Sequence, residues 1–294
     1  MVTPDRPAAV IVHYGYHDRT IKLANALIDF DADVVVVAND LVARPGCLDR
    51  RVEWIIPERN LGFGDAFNLA IVGRNNSAYV LLNSDLTISR LTFERCLSVL
   101  GQDGIGVVGP VLRHEDGTLQ SGAARLSRWR RMPRTLFDPG SQVVDCVWVT
   151  GAAMFMRREV AAEVGMDGSY FLIAEDADLC VRAARAGWRV VCCGDAEATH
   201  LGGQTITGPR GYYYSTRNCV WWTRSNFGLG VATLNWFALV LNLPRILLAD
   251  MLKRHDFMSS RLTVLGLHHA WRRKPERDSG SLADEPLAGR IMHW

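Results

Sequence analysis

Three carboxylates, Glu175, Asp176 and Asp178, fall within four residues of "AEDADLCVRAARAG". Arg182 and Arg185 further on and Gly187 as a stop mark this segment as a helix with its acidic end first. Crowded carboxylates repel, and a helix N-terminus offsets part of that by about 0.3–1 kcal/mol per well-placed charge. Such a cluster either caps the helix or supplies a carboxylate for proton transfer. A second set of polar residues stands where apolar runs end. His13 and Tyr14 follow "AAVIV", Asn39 and Asp40 follow "DVVVVA", and Asn83, Ser84 and Asp85 follow "YVLL". Any one of these reads as a turn or an N-cap. Their recurrence reads as one crevice, because ligands of open α/β sheets sit beyond the carboxyl ends of the strands.

The elements that would position these groups alternate through the first half of the chain. "AAVIVH", "DVVVVAND", "VEWII", "YVLLNSD" and "IGVVGP" are candidate strands, and "DRTIKLANALIDF" places Ile21, Ala24, Leu27 and Ile28 on one helical face. The strand runs are apolar without polar alternation, which predicts a mostly parallel sheet covered by helices on both sides, a Rossmann-like α/β architecture. Beyond residue 110 the pattern changes. Asp116-Gly117 predicts a hairpin, residues 127–142 a basic surface loop, "VVDCVWV" and "AAMFMR" two strands, and residues 157–164 a helix.

Composition excludes several classes. Hydrophobic residues at 48% and charged residues at 22% fit a globular chain, neither disordered nor coiled-coil, and a net charge of +2 gives no case for a nucleic-acid partner. Seven cysteines without a C-x-x-C pair predict buried thiols in a reducing compartment. The N-terminal apolar run is too short for a signal peptide and lacks a basic lead. Together these predict a cytoplasmic protein.

Seven segments in order, "VIVHYG", "VVVVAND", "NLGFGDAFNLAI", "YVLLNSD", "TGAAMFMRR", "YFLIAEDADLCVRAARAGWRV" and "ATHLGGQTI", resemble family 2 glycosyltransferases of the GT-A fold, especially their bacterial rhamnosyltransferase-like branch. The resemblance covers roughly residues 8–225. It implies an inverting, metal-dependent enzyme that moves a sugar from a UDP- or dTDP-linked donor, with rhamnose, N-acetylglucosamine or another hexose as the sugar. The acceptor would be a hydroxyl of a glycan, a glycolipid or a secondary metabolite.

The same resemblance distributes roles. Asp176 is the general base and Glu175 orients the acceptor, while Asp178 points elsewhere on the helix. Trp148, Gly151 and Ala152 fall on the acceptor side. Asp85 and His200 hold Mg²⁺ or Mn²⁺, hard cations that suit carboxylate and phosphate oxygens. The family's first metal-motif carboxylate is here the amide of Asn83, which with Ser84 passes to the donor. Tyr14 can stack on a pyrimidine, and His13, Asn39, Asp40, Asn60, Asn68 and Arg217 complete the donor set. Ala38 departs from the family, which commonly has an aspartate there to read the base.

The tail, residues 210–294, forms a second division after a catalytic domain of residues 1–209. It carries 12 Lys or Arg against 6 Asp or Glu. Leu229–Leu243 is apolar but ends at Pro244 and Arg245, a 15-residue stretch by sequence, short of the roughly 20 residues that span a bilayer. A dimer or core helix and a peripheral membrane-surface helix both fit; Lys253, Arg254, Arg261, Arg272, Arg273 and Lys274 suit the second. Two other functions use related architectures: a sugar nucleotidyltransferase, whose Gly-rich basic phosphate loop "VIVHYGYHD" lacks, and a non-catalytic nucleotide-sugar-binding module, which would not need the acidic trio.

Overall fold

The computed structural model describes residues 6–15, 17–201, 209–253, 257–272 and 274. Two compact units are present: residues 1–125, 133–167 and 175–202 form one, and residues 126–132, 168–174 and 203–294 the other. Two segments from earlier in the chain thus group with the C-terminal helices.

In the first unit β1 (Ala8–His13), α1 (His17–Asp29), β2 (Asp33–Ala38), β3 (Glu53–Ile55), α2 (Gly62–Ile71) and β4 (Ala78–Asn83) alternate along the predicted runs. There follow β5 (Leu86–Ile88), α3 (Arg90–Leu100), β6 (Ile105–Arg113), β7 (Leu119–Ser121), β8 (Ala123–Leu126), β9 (Pro133–Phe137), β10 (Val143–Asp145), β11 (Ala153–Arg157), α4 (Glu175–Arg185) and β12 (Arg189–His200). The main path of the sheet is β10-β12-β6-β11-β4-β1-β2-β3. β1 pairs in parallel with β2 and β4, β2 with β3 and β6 with β12, whereas β11 runs antiparallel to both its neighbours. The sheet is therefore mixed, its parallel half formed by the strands with uninterrupted apolar runs.

Those runs feed two cores at once, since successive side chains of a strand face opposite sides. Ala9, Ile11, Val34 and Val36 pack with Leu23 and Leu27 of α1 and Phe93 of α3. Ala8, Val10, Val35 and Val37 pack with Phe67 of α2 and Leu179 of α4. Each fully buried Val, Leu, Ile or Phe contributes about 1.5–3 kcal/mol, so the sheet gives the strand ends a rigid platform.

Several local expectations change. The hairpin at Asp116-Gly117 forms, with Gly117 at φ 82° and the His114 N–H donating to Thr118 O at 2.9 Å. Residues 127–142 are not wholly loop, because Pro133–Phe137 pairs with β8 in a small separate sheet; proline is tolerated at the head of an edge strand. The helix expected over 157–164 is a π-helical turn, Val160–Val164, closed by the Gly165 N–H on Val160 O. Of "VVDCVWV" only Val143–Asp145 is strand. Cys47 is exposed and Cys146 half-buried, while the other five thiols are buried as expected; all seven are free.

The second unit contains α5 (Pro209–Phe227), α6 (Leu229–Lys253) and α7 (Met258–His269). The apolar stretch does not stop at Pro244. A proline inside a helix forfeits one backbone hydrogen bond and costs roughly 3 kcal/mol, and here packing on both sides of it carries the helix through. Before it, Trp236 Nε1 donates to Leu267 O at 3.1 Å; beyond it, Asp250 accepts from Ser260 N and Oγ at 2.8 and 2.6 Å. Residues Leu229–Leu252, 24 in number, are long and apolar enough to cross a membrane by length and composition. Arg254, Arg273 and the glycines after His200 lie outside the described residues.

Candidate active site

The register of the sheet brings the polar strand ends together. Val12 pairs with Asn83, His13 with Ala38 and Leu82 with Ala153, so β1, β2 and β4 end where β11 begins. Asp85 lies two residues beyond β4 and directly precedes β5, whose Leu86 pairs with His200 at the end of β12. That pairing sets His200 Nε2 3.1 Å from Asp85 Oδ1 and 3.1 Å from Asn83 Nδ2.

A residue not predicted from sequence completes this group. Gln120 on β7 lies with its Oε1 2.7 Å from His200 Nδ1. β6 pairs with both β7 and β12 near Arg113, so His200 and Gln120 meet over its end. With Nδ1 turned to the Gln120 carbonyl, Nε2 is the imidazole nitrogen that meets the Asp85 carboxylate and the Asn83 amide. An imidazole nitrogen and a carboxylate oxygen 3.1 Å apart are the ligand types that divalent ions take. The donor set therefore fits a divalent ion, and the Gln120 oxygen on the far ring nitrogen gives the imidazole the kind of orienting contact that metal-binding histidines have.

One loop joins this group to the acidic helix. The Asn83 N–H donates to Ala152 O at 2.9 Å, and the neighbouring Gly151 N–H donates to Asp176 Oδ2 at 2.9 Å. Residue 151 is glycine for a steric reason: a Cβ there would sit 2.8 Å from Phe63 Cε1 and 3.4 Å from Asp176 Cβ. Asp176 also accepts from the Ala177 N–H at 2.7 Å. Burial pushes its pKa up, and the Gly151 N–H and the Trp148 indole hold it down in part. Trp148 Nε1 itself is buried without a well-formed hydrogen bond. Glu175 is buried with Oε2 unbonded, and burial together with the Asp176 charge raises its pKa to about 8. Asp178 instead pairs with Arg182, Nε to Oδ2 at 2.5 Å, which takes it out of the proton-transfer pair.

The donor-side residues divide into exposed and structural ones. Tyr14 is 45% exposed after β1. Asp40 accepts from the Gly15 N–H at 2.8 Å and stands 3.4 Å from His13 Nε2. His13 is wholly buried, bonded to Thr20 Oγ1 at 2.7 Å, and burial lowers its pKa; it supports the β1 turn and is not open to a ligand. His17 joins His13 and Asp40 in a cluster whose ligand atoms lie within 4.8 Å of one another. Asn60 Oδ1 accepts from the Gly62 N–H at 2.8 Å at the start of α2. Ser84 is buried between Asn83 and Asp85.

Three expected donor contacts have other tasks. Asn39 donates to Gly62 O at 2.6 Å and accepts from Leu61 N at 3.2 Å, so its amide is consumed in joining β2 to the α2 loop. Asn68 is engaged twice by Met166, through its O and N at 2.8 and 3.1 Å. Arg217 is buried in the second unit, where it donates to Asn218 Oδ1 and Tyr170 O and lies 4.1 Å over the Trp221 ring. Asn218 in turn donates to the Tyr170, Leu172 and Ile173 carbonyls. Both side chains thus grip one turn.

The sequence profile of glycosyltransferase like family 2 matches residues 24–222. The chain belongs to that family. Its fold is GT-A, as comparison with solved glycosyltransferases shows. S. aureus TarS 1-349 superposes at TM-score 0.55 with 12% identity, covering 91% of this chain and 81% of TarS 1-349. The mannosyltransferase PcManGT of Pyrobaculum calidifontis, in complex with GDP-Man and Mn²⁺, gives 0.51 with 14% identity over 92% of this chain and 88% of its own. GalNAc-T7 with UDP, GalNAc and Mn²⁺ gives 0.53 with 13% identity; 66% of this chain is covered, and it spans 43% of that protein. No curated protein matches the chain. Within this family 2 glycosyltransferase fold, Asn83–Asp85, residues 150–152 and Glu175–Asp176 converge where the central strands β4 and β11 meet.

Proposed function

We propose that the chain is an inverting glycosyltransferase that moves a sugar from a UDP- or dTDP-linked donor, rhamnose or N-acetylglucosamine or another hexose, to an acceptor hydroxyl. One observation carries this reading: the Asn83–Ala152 and Gly151–Asp176 hydrogen bonds tie the cation-fitting group of Asp85 and His200 to a carboxylate whose pKa is raised. In this reading the two chemistries of glycosyl transfer, support of a leaving diphosphate and removal of an acceptor proton, are linked through one loop.

Asp85 and His200 would hold Mn²⁺ or Mg²⁺, with an imidazole ligand favouring Mn²⁺. When bound, the ion supplies positive charge to the leaving diphosphate. Asp176 accepts the proton of the acceptor hydroxyl as its oxygen attacks the anomeric carbon; the bond to the diphosphate breaks on the opposite face, and the configuration inverts. A carboxylate with a raised pKa is a stronger base for that step than an ordinary aspartate. Glu175 and Trp148 border Asp176 on the acceptor side. Tyr14 and Asp40 stand where a pyrimidine can stack and bond.

Incubation with a panel of UDP- and dTDP-sugars, with and without Mn²⁺, tests the reading. Release of nucleoside diphosphate with the sugar transferred or hydrolysed is the expected result. Pyrophosphate release would make the protein a nucleotidyltransferase, and binding without turnover a binding module.

A further inference from the structure

We infer that α6 lies flat in the surface of an anionic bilayer, held there by an apolar stripe and a collar of arginines within the second unit. The inference is independent of donor and acceptor identity. Leu234, Phe237, Leu241, Leu248 and Leu252 recur at spacings of three, four and seven residues, which stack on one side of a helix. All five are exposed, Leu241 at 79% and Leu252 at 71%. Only 11% of the helix's most apolar window is buried. The opposite face is packed: Ala232 clusters with Val220 of α5 and Ala270, and Asp250 is buried against Ser260 of α7. The exposure is therefore a property of one face.

Charge selects the occupant. Among the described residues of this unit Asp250 is the sole carboxylate, against eleven Lys or Arg. A second copy of so cationic a surface is a poor partner, whereas anionic headgroups attract it. The segment 128–131 adds a second contact. Asn235 Nδ2 donates to Arg130 O at 2.8 Å and Arg130 Nε donates to Asn235 Oδ1 at 2.7 Å, clamping that segment to α6 one residue from Leu234. Trp129 there is 71% exposed, with the Arg128 guanidinium 4.9 Å over its ring. An exposed indole flanked by arginines suits the headgroup level of a membrane.

The helix is long enough to span, but its contacts favour the plane of the interface. Arg245, four residues after Leu241 and three before Leu248, lies exposed within the stripe near the middle of the helix, with Asn242 exposed beside it; at an interface its guanidinium reaches the headgroups, whereas at the middle of a span it would sit in hydrocarbon. Packing on α5 and α7 runs from Ala232 to Asp250, and insertion across a bilayer would strip it. An amphipathic helix whose apolar face carries a cation at its middle binds in the interface instead.

Co-sedimentation of the full chain with phosphatidylcholine vesicles containing or lacking about 30% phosphatidylglycerol tests this. Binding only to the anionic vesicles is expected, reversed by high salt. Leu241→Glu with Leu248→Glu, and separately Arg128→Glu with Arg131→Glu, should each weaken it at least tenfold at unchanged thermal stability. Failure to bind anionic vesicles overturns the inference. So does a dimer in light scattering that the leucine pair abolishes, since the face would then join two copies. Resistance to alkaline carbonate extraction from cell membranes would also overturn it, by showing a spanning helix. None of these readouts requires a sugar nucleotide, so a failed transfer assay and a failed vesicle assay remain distinct results.

Discussion

His200 and Gln120 face each other over the end of β6, Nδ1 to Oε1 at 2.7 Å, and this contact decides which imidazole nitrogen is left to meet Asp85. The Gln120 carbonyl engages Nδ1 and so orients the ring with Nε2 toward Asp85. Removing such a partner typically costs 10–100-fold in metal affinity. Gln120→Leu should therefore raise the Mn²⁺ concentration giving half-maximal turnover by roughly ten- to a hundred-fold with little change at saturating metal. His200→Ala should not be rescued by added Mn²⁺. Metal titration of nucleoside diphosphate release checks both, and an unchanged midpoint in the leucine variant would remove Gln120 from the site.

Much of this arrangement was legible in the sequence. The apolar runs that became β1, β2, β4 and β6 carry residues for two cores, so their placement needed no tertiary information. The polar groups at their ends followed, since a sheet covered on both faces exposes its strand termini. Gln120 was not legible, because it reaches His200 only through the pairing of β6 with both β7 and β12. Asn39 and Asn68 misled for the converse reason. An asparagine beside a ligand-binding loop looks like a ligand contact, yet these amides satisfy backbone groups at Gly62 and Met166. Pro244 read as a helix end because its penalty is local while the packing that offsets it is not.

The Asp176 carboxylate is the group that the proton-transfer role requires. Asp176→Asn keeps the volume and leaves an oxygen for the Gly151 N–H, so the loop and donor affinity should survive. Turnover should fall on the order of 10²–10⁴-fold, the range of general-base contributions. Calorimetric donor binding beside steady-state rates separates the two effects. Loss of binding in step with rate would make Asp176 a structural residue.

Glu175 makes a distinct pH prediction. Its folded pKa of about 8 lies above its ordinary value, so the folded state binds the proton more tightly. Any stability gained from that is present at low pH and declines as pH rises from the ordinary carboxylate range through about 8. Ionisation near 8 also puts a second negative charge beside Asp176. Glu175→Gln should flatten the stability profile over that window and shift the alkaline side of the rate profile. An unaltered pair of profiles would mean that Glu175 is ionised throughout.

Gly151 tests the steric basis of the site. A methyl group at this position must displace the Phe63 ring, 2.8 Å away, or the Asp176 Cβ, 3.4 Å away. Gly151→Ala should cost about 1–3 kcal/mol in stability, as overpacking does, and should reduce turnover more than donor affinity. Thermal denaturation and kinetics on one preparation measure both. Phe63→Ala in the same background should recover part of the loss, because it vacates the space that the added methyl needs.

Arg217 separates an architectural arginine from a phosphate-binding one. Its guanidinium donates to Tyr170 O and Asn218 and lies over the Trp221, Tyr213 and Tyr214 rings. Arg217→Ala should lower stability by about 2 kcal/mol or more, through lost charge-assisted bonds and ring contacts. Arg217→Lys should recover little of it, because an ammonium cannot stack or present a planar fork. Donor affinity, measured well below the melting temperature, should be unchanged in both. A selective loss of nucleotide affinity with stability intact would instead make Arg217 part of the donor site, contrary to the partners it has in the second unit.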